Sequence, residues 1–253
     1  MKRPAKIMFI LLSAAVLAVL VIVANVARSR SQVRGIEVVV RYGDTPRLVG
    51  DKTVVDTVLR RMPNLLQLSV KNVDCERVAS VARRVPFLTQ VSASVSVGGK
   101  VVVRAEQRRP IARIYYGTRE LYIDRDGSLF PSSPLGFCDV LVANGDFAEK
   151  LRFDSLNAQV TAIWKLACFL DKERDYRDLI DQIFIERDGD MMMVPKVGDH
   201  VIELGSVDNL EEKFSNLLTF YRKGMPRAGW NTYSKISLKY KGQVVCTKKI
   251  NQK

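Results

Sequence analysis

Side chains able to do chemistry are few in this chain. His200 is the single histidine among 253 residues, so a catalytic triad or a histidine metal site would have to be built around it. It lies in Val197-Gly-Asp-His-Val201, between two apolar runs, where a surface turn residue is expected. Four cysteines stand at 75, 138, 168 and 246. No two have metal-ligand spacing. Cys75 opens a predicted helix and Cys168 lies inside another, so both read as small core residues and free thiols are expected. Asp124 and Asp126 sit in Asp124-Arg-Asp-Gly127. They could form an acid pair or begin a calcium loop, but the remaining ligands of an EF-type loop do not follow. A structural Asp-Gly turn is the expectation. Glu106, Arg108 and Arg109 mix charges at a strand end and read as a salt bridge where two domains join. Met191-Met-Met193 reads as strand core. The sequence contains no Gly-x-Ser-x-Gly elbow, His-Glu-x-x-His, P-loop or dinucleotide fingerprint. The expectation is a non-enzyme with no catalytic residue, metal, cofactor or small-molecule substrate.

The elements that would position these side chains fall into two sets. Ile36–Tyr42 is a predicted strand with Ile36, Val38, Val40 and Tyr42 on one face. Asp51 is placed to cap a helix over Thr53–Arg61, which Pro63 stops. Leu65–Val70 is ambiguous. Asp74 caps a second helix over Cys75–Arg84. Val91, Ala93, Val95 and Val97 then alternate with serines, Gly98-Gly99 reads as a two-residue turn, and Val101, Val103 and Ala105 repeat the alternation. The order β-α-α-β-β over residues 35–106 predicts a two-layer α+β unit.

Residues 107–250 predict a mostly antiparallel β domain flanked by two helices. Strands are expected over Ile111–Tyr116, Glu120–Asp124, Val140–Val142, Ile180–Glu186, Met191–Val194 and Val201–Leu204. One helix runs from Asp154 or Ser155 to about Asp171, with Leu156, Val160, Ile163, Trp164, Ala167 and Leu170 as its core stripe. Asp208-x-x-Glu211 predicts a capping box for the other, which carries Phe214, Leu217, Leu218 and Tyr221. Gly224 and Pro226 close it. Strands Lys235–Tyr240 and Gln243–Lys248 finish the chain around a Lys241-Gly242 turn.

Before both units, Ile7–Ala27 is a run of 21 residues without a charge. At about 1.5 Å per residue it matches the thickness of a bilayer core. It is longer than the apolar region of a secretory signal, and cleavage after Ala27 would put Asn25 at a poor position. A single transmembrane helix is therefore expected over 7–27, with a cytoplasmic tail at 1–6, a linker at 28–34 and a short tail at 251–253. Lys2, Arg3 and Lys6 flank the run on one side, Arg28 and Arg30 on the other. A long folded region favours translocation, so the N-terminus is expected in the cytoplasm and the bulk outside it.

The charge supports this division. Lys and Arg number 40 and Asp and Glu 27, a net of +13. Residues 1–34 carry +6 of it and no acid. The rest is dispersed, as the separate pairs Arg60-Arg61, Arg83-Arg84 and Arg108-Arg109 show, so no nucleic-acid partner is expected.

An anchor, a β-α-α-β-β unit, Glu106-x-Arg-Arg-Pro-Ile-Ala112, Tyr122-x-Asp-x-x-Gly-x-x-Phe130, Val197-Gly-Asp-His-Val-Ile-Glu-Leu-Gly205 and a closing Lys235-Ile-Ser-Leu-Lys-Tyr240 strand follow in order. Together they resemble the bacterial cell-division family FtsQ/DivIB, over nearly the whole chain. The resemblance implies a POTRA domain over 35–106 and a β domain over 107–250. It implies a divisome scaffold of the cytoplasmic (inner) membrane, with its bulk in the periplasm, that serves septation and binds partners of the FtsB and FtsL type. In the family the partner adds a strand to the last hairpin and the late helix contributes. Carried over by motif, this gives Lys239, Tyr240, Gln243, Val244, Val245, Cys246 and Thr247 as partner-binding residues. An exposed terminal hairpin suits strand addition on physical grounds as well, because its outer N–H and C=O groups are unpaired. Lys239, Lys241, Lys248 and Lys249 surround it, either against aggregation or to complement an acidic segment. The alternative is a POTRA-bearing export or outer-membrane assembly factor, which would need a barrel or repeated POTRA units. An anchored hydrolase built on His200 is a further alternative.

Overall fold

Hydrophobic alternation and helical stripes do build two separate cores. The structure, a computed structural model, describes residues 12–20, 31–148, 153 and 155–249. It divides into two compact units, Met1–Arg108 and Arg109–Lys253. Residues 12–20 form a helix, α1, with Leu12, Val16, Leu17, Val19 and Leu20 exposed. Among the described residues no helix is long and apolar enough to cross a membrane. The rest of the expected span, and Lys2, Arg3, Lys6, Arg28 and Arg30, lie outside the described residues.

In the first unit β1 (Gly35–Arg41), α2 (Asp51–Arg61), α3 (Cys75–Ala82), β2 (Leu88–Val95) and β3 (Lys100–Gln107) follow in order. The sheet order is β1-β3-β2, with β1 parallel and β2 antiparallel to β3. A parallel neighbour needs a crossover, and here it includes α2 and α3. Their Val54, Val58, Val78 and Ala82 meet Val101 and Val103 of β3 in the core. Asp74 caps α3 by accepting from the Arg77 amide. Asp51 does not cap α2. Gly50 holds the cap position, and the Asp51 carboxylate instead accepts from the Tyr42 hydroxyl and Arg47. Leu65–Gln67 and Val70–Asn72 are single 3-10 turns. The hairpin turn also differs from a two-residue loop. Val95 pairs with Val101, Ser96 N donates to Lys100 O, and Gly99 N donates to Ser96 O. Val97, Gly98 and Gly99 thus form a three-residue loop, and Gly99 takes the left-handed position at φ 77° that such loops require.

The second unit begins with β4 (Pro110–Tyr116), β5 (Arg119–Asp124), β6 (Leu129–Pro131) and β7 (Leu141–Gly145). Helix α4 (Ala158–Lys172), the one-turn α5 (Arg174–Arg177), β8 (Ile180–Ile185), β9 (Met191–Pro195) and β10 (Val201–Gly205) follow. Helix α6 (Leu210–Lys223), the one-turn α7 (Met225–Ala228), β11 (Tyr233–Ser237) and β12 (Val245–Lys248) complete it. The nine-stranded sheet runs β12-β11-β10-β9-β8-β7-β4-β5-β6. It is mixed: β4/β7, β7/β8 and β10/β11 are parallel and the other neighbours antiparallel. α4 lies in the crossover between β7 and β8, and α6 in that between β10 and β11.

One row of paired residues crosses this sheet: Ile114, Ala143, Ile183, Met193, Ile202, Ile236 and Cys246. It packs in one core with Val160, Ile163 and Leu166 of α4 and Phe214 and Leu217 of α6. Both helix starts fall later than the sequence suggests. Asn157, not Ser155, caps α4 through the Val160 amide, and Asp154 lies outside the described residues. The capping box at α6 does not form, because Ser206 engages the Asp208 carboxylate and Asn209, at φ 53°, takes the cap position without a side-chain bond.

Gln159, on the buried face of α4, holds the β7–α4 connection. Its oxygen accepts from Ala148 N at 2.7 Å, and its amide donates to Asp146 O and Glu186 O at 2.9 Å. Gly145 lets the end of β7 approach Ile185 of β8 closely, since a Cβ there would lie 2.1 Å from Ile185 O. Replacing Gln159 with Leu strands these backbone groups. We expect a loss of about 3 kcal/mol in urea denaturation; a change below about 0.5 kcal/mol would show that the network contributes nothing.

Candidate functional site

Strand β12 forms one edge of the nine-stranded sheet and pairs on one side with β11. Ser237 pairs with Val245, Ile236 with Cys246 and Lys235 with Thr247. Alternation directs Val244 and Cys246 to the core, while Val245 and Thr247 stay exposed. The strands are shorter than the sequence suggests. β11 ends at Ser237, so Lys239, Tyr240, Gln243 and Val244 lie in the connection between the strands. Leu238 N donates to Glu203 O at 2.8 Å, which keeps the chain beside β10 for one residue beyond Ser237.

That connection is tied to its surroundings. Lys239 Nζ reaches Asp190 at 2.5 Å, and the hydrogen bond and charge of that carboxylate raise the lysine's pKa. Gly242 N donates to Glu212 on α6 at 3.0 Å. Lys213 of α6 donates to Leu204 O at 2.9 Å and Ser206 O at 2.7 Å, so the helix start, the end of β10 and the hairpin form one assembly. Burial pushes the Lys213 pKa down. Between α6 and the connection lies a cleft of about 220 Å³, lined among others by Asn209, Lys213, Asn216, Lys239 and Gln243. Tyr240 also lines it and is 59% exposed. At the far end of β12, Lys249 N donates to Thr232 O and its ammonium lies 3.5 Å from Asp199.

Such an edge can accept a strand. The backbone supplies hydrogen bonds, exposed Val245 and Thr247 face any side chains laid beside them, and the Tyr240 ring offers an anchor with little rotamer entropy to lose. Sequence reasoning found the hairpin but missed Glu212 and Lys213. Their only signal was position on the first turns of the late helix.

The other flagged residues serve structure. Asp124 accepts from the amides of Asp126 and Ser128 and builds the Asp-Gly turn. Glu106 pairs with Arg41, Arg108 donates to Pro86 O, and Arg109 binds Asp171 through both terminal guanidinium nitrogens. Burial acts to raise the Asp171 pKa, but hydrogen bonds from Arg109 and Arg125 outweigh it, and the net shift is downward. Met191 and Met193 are core residues. All four cysteines are free, and burial raises the thiol pKa of Cys138, Cys168 and Cys246, which makes them poor nucleophiles.

His200 is not a surface turn residue. It is 2% exposed, its Nε2 lies 2.6 Å from the Tyr221 hydroxyl, and its ring meets that of Tyr221 edge-on. Tyr221 in turn packs on Trp230. Flanking apolar residues gave no sign of this, because the partners come from α6 and the segment after it. Burial depresses the His200 pKa, Lys249 adds to the effect and Asp199 opposes it. Below about pH 6.5 the unfolded chain takes up a proton at this ring that the folded chain refuses. Stability therefore falls as pH drops from 6.5 and the loss levels off below the folded pKa. Substituting His200→Gln is expected to flatten thermal stability against pH between about 6.5 and 5, above the range where Asp171 titrates. Parallel curves for variant and wild type would overturn this assignment.

No curated protein sequence matches the chain. The family described as FtsQ/DivIB, C-terminal related, matches residues 109–247, which take in the whole sheet to Thr247 of β12. Matched over more than half of its length, the chain belongs to the FtsQ/DivIB family of typically membrane-associated proteins, and its role is in cell division among divisome proteins.

Proposed function

We propose that this chain is a non-enzymatic, single-pass scaffold of the cytoplasmic membrane that binds a partner pair of the FtsB and FtsL type by strand addition to β12. The observation that carries the reading is an edge strand beside an exposed tyrosine and a polar cleft, with a late helix tied to the same connection. Lys239, Tyr240, Gln243 and Val244 would receive the end of the added segment. Val245, Cys246 and Thr247 would supply the edge. The β-α-α-β-β unit would act as a POTRA domain, tethered by a transmembrane helix over 7–27 with Lys2, Arg3, Lys6, Arg28 and Arg30 at its flanks. The N-terminus would lie in the cytoplasm and both folded units in the periplasm.

Two variants test the edge in the purified full chain against the coiled-coil partner pair. Tyr240→Ala should weaken binding about tenfold or more while moving the melting temperature by less than about 2 °C, because the ring is exposed. Val245 and Thr247 turn their backbone groups to β11, as Lys249 N does to Thr232 O, so Cys246 and Lys248 face the free side. Lys248→Pro removes a backbone N–H from that side of the four-residue strand and should weaken binding further. Wild-type affinity in both variants would sink the reading.

A further inference from the structure

One end of the first unit collects features that its own fold does not use. The chain enters there: Val70 N donates to Ser31 O, Val33 N to Leu68 O and Arg34 N to Gly99 O. The 3-10 turns over 65–72 and the hairpin tip over 96–99 are thus stapled to residues 31–34. A Cβ on Gly99 would sit 3.7 Å from Val70 and 3.8 Å from Arg34, which places the tip against both. Two apolar side chains at this end point into solvent. Val97 is 81% exposed at the tip and Leu66 is 38% exposed in the turn that follows α2. Around them stand Arg34, Arg60, Arg61 and Lys71, all exposed and without an ion pair to any described residue. Nearby acids are engaged: Glu37 with Lys100, Glu76 with Arg83, and Asp74 with the α3 cap.

Chain length names the occupant. The apolar run ends at Ala27, four residues before Ser31. An extended chain covers about 14 Å over that distance, so if the run spans the bilayer this end must lie close to its surface. Exposed aliphatic side chains ringed by basic ones suit the boundary between acyl chains and anionic headgroups. We infer that this end of the first unit rests on the anionic phospholipid surface. Val97 and Leu66 enter the headgroup layer, and Arg34, Arg61 and Lys71 face phosphates. The inference rests on the membrane-anchor reading above.

The test uses the full chain in nanodiscs, of phosphatidylglycerol with phosphatidylethanolamine or of phosphatidylcholine alone. A benzophenone photo-crosslinker replaces Val97, or Asp44 at the opposite end of the sheet as control. Lipid adduct at position 97 should exceed that at 44 about fivefold in the anionic discs. It should fall about fivefold in phosphatidylcholine or when Arg34→Glu and Lys71→Glu are combined. Equal adduct at the two positions, adduct indifferent to lipid charge, or crosslinking of position 97 to a second copy of the chain overturns the inference alone. Failure of the chain to enter nanodiscs overturns the anchor reading and the inference with it.

Discussion

Strand β12 depends on a single contact line. Its Cys246 extends the row that runs from Ile114 through Ala143, Ile183, Met193 and Ile202 to Ile236, and beyond it the ladder stops. The row is buried by helices on one face, which fixes register, because a one-residue slip would turn every member to the other face. β11 is parallel to β10, so the chain must cross over between them, and α6 is that crossover. The topology therefore brings α6 and the terminal hairpin to the same end of the sheet. Glu212 and Lys213 meet the hairpin connection for this reason, and not because of any local signal.

The same reasoning explains what the sequence disclosed. Serine–valine alternation before Gly98 and the closing alternation at Val244–Thr247 are local patterns, and each produced a strand, though β2 stops at Val95 and β12 begins only at Val245. Element ends were less legible. Asp51 and Asp208 have the chemistry of caps, but Tyr42 with Arg47, and Ser206, offer their carboxylates other bonds. Those competitors cannot be weighed from the segment itself. The hairpin tip failed in a similar way: a Gly-Gly pair satisfies a two-residue turn, but the bond from Ser96 N to Lys100 O leaves three residues to be accommodated. His200 is the clearest case. Its burial is decided by Tyr221, which is 21 residues away, and by the Trp230 ring packed behind that tyrosine.

A four-residue edge makes few backbone hydrogen bonds, so strand addition to it needs help from side chains. On the proposed reading the connection would supply that help: Tyr240 stands out of the surface beside the cleft, while Lys239 and Gly242 are fixed by Asp190 and Glu212. Fixing the backbone beforehand lowers the ordering cost of association. The exposed ring then adds apolar area without a flexible stem.

On the proposed reading, the lysines around the edge would select which strands can use it. Two copies paired through β12 would bring Lys248 and Lys249 of one chain towards the same basic set on the other, and like charges across a ladder are destabilising. Asp199 offsets Lys249, but Lys241 and Lys248 have no ion partner among the described residues. A different chain carrying acids at those positions meets no such repulsion. If β12 receives an added strand as proposed, the charge that discourages self-pairing would also favour a heterologous acidic one, and protection against aggregation and recognition of an acidic segment would follow from one arrangement.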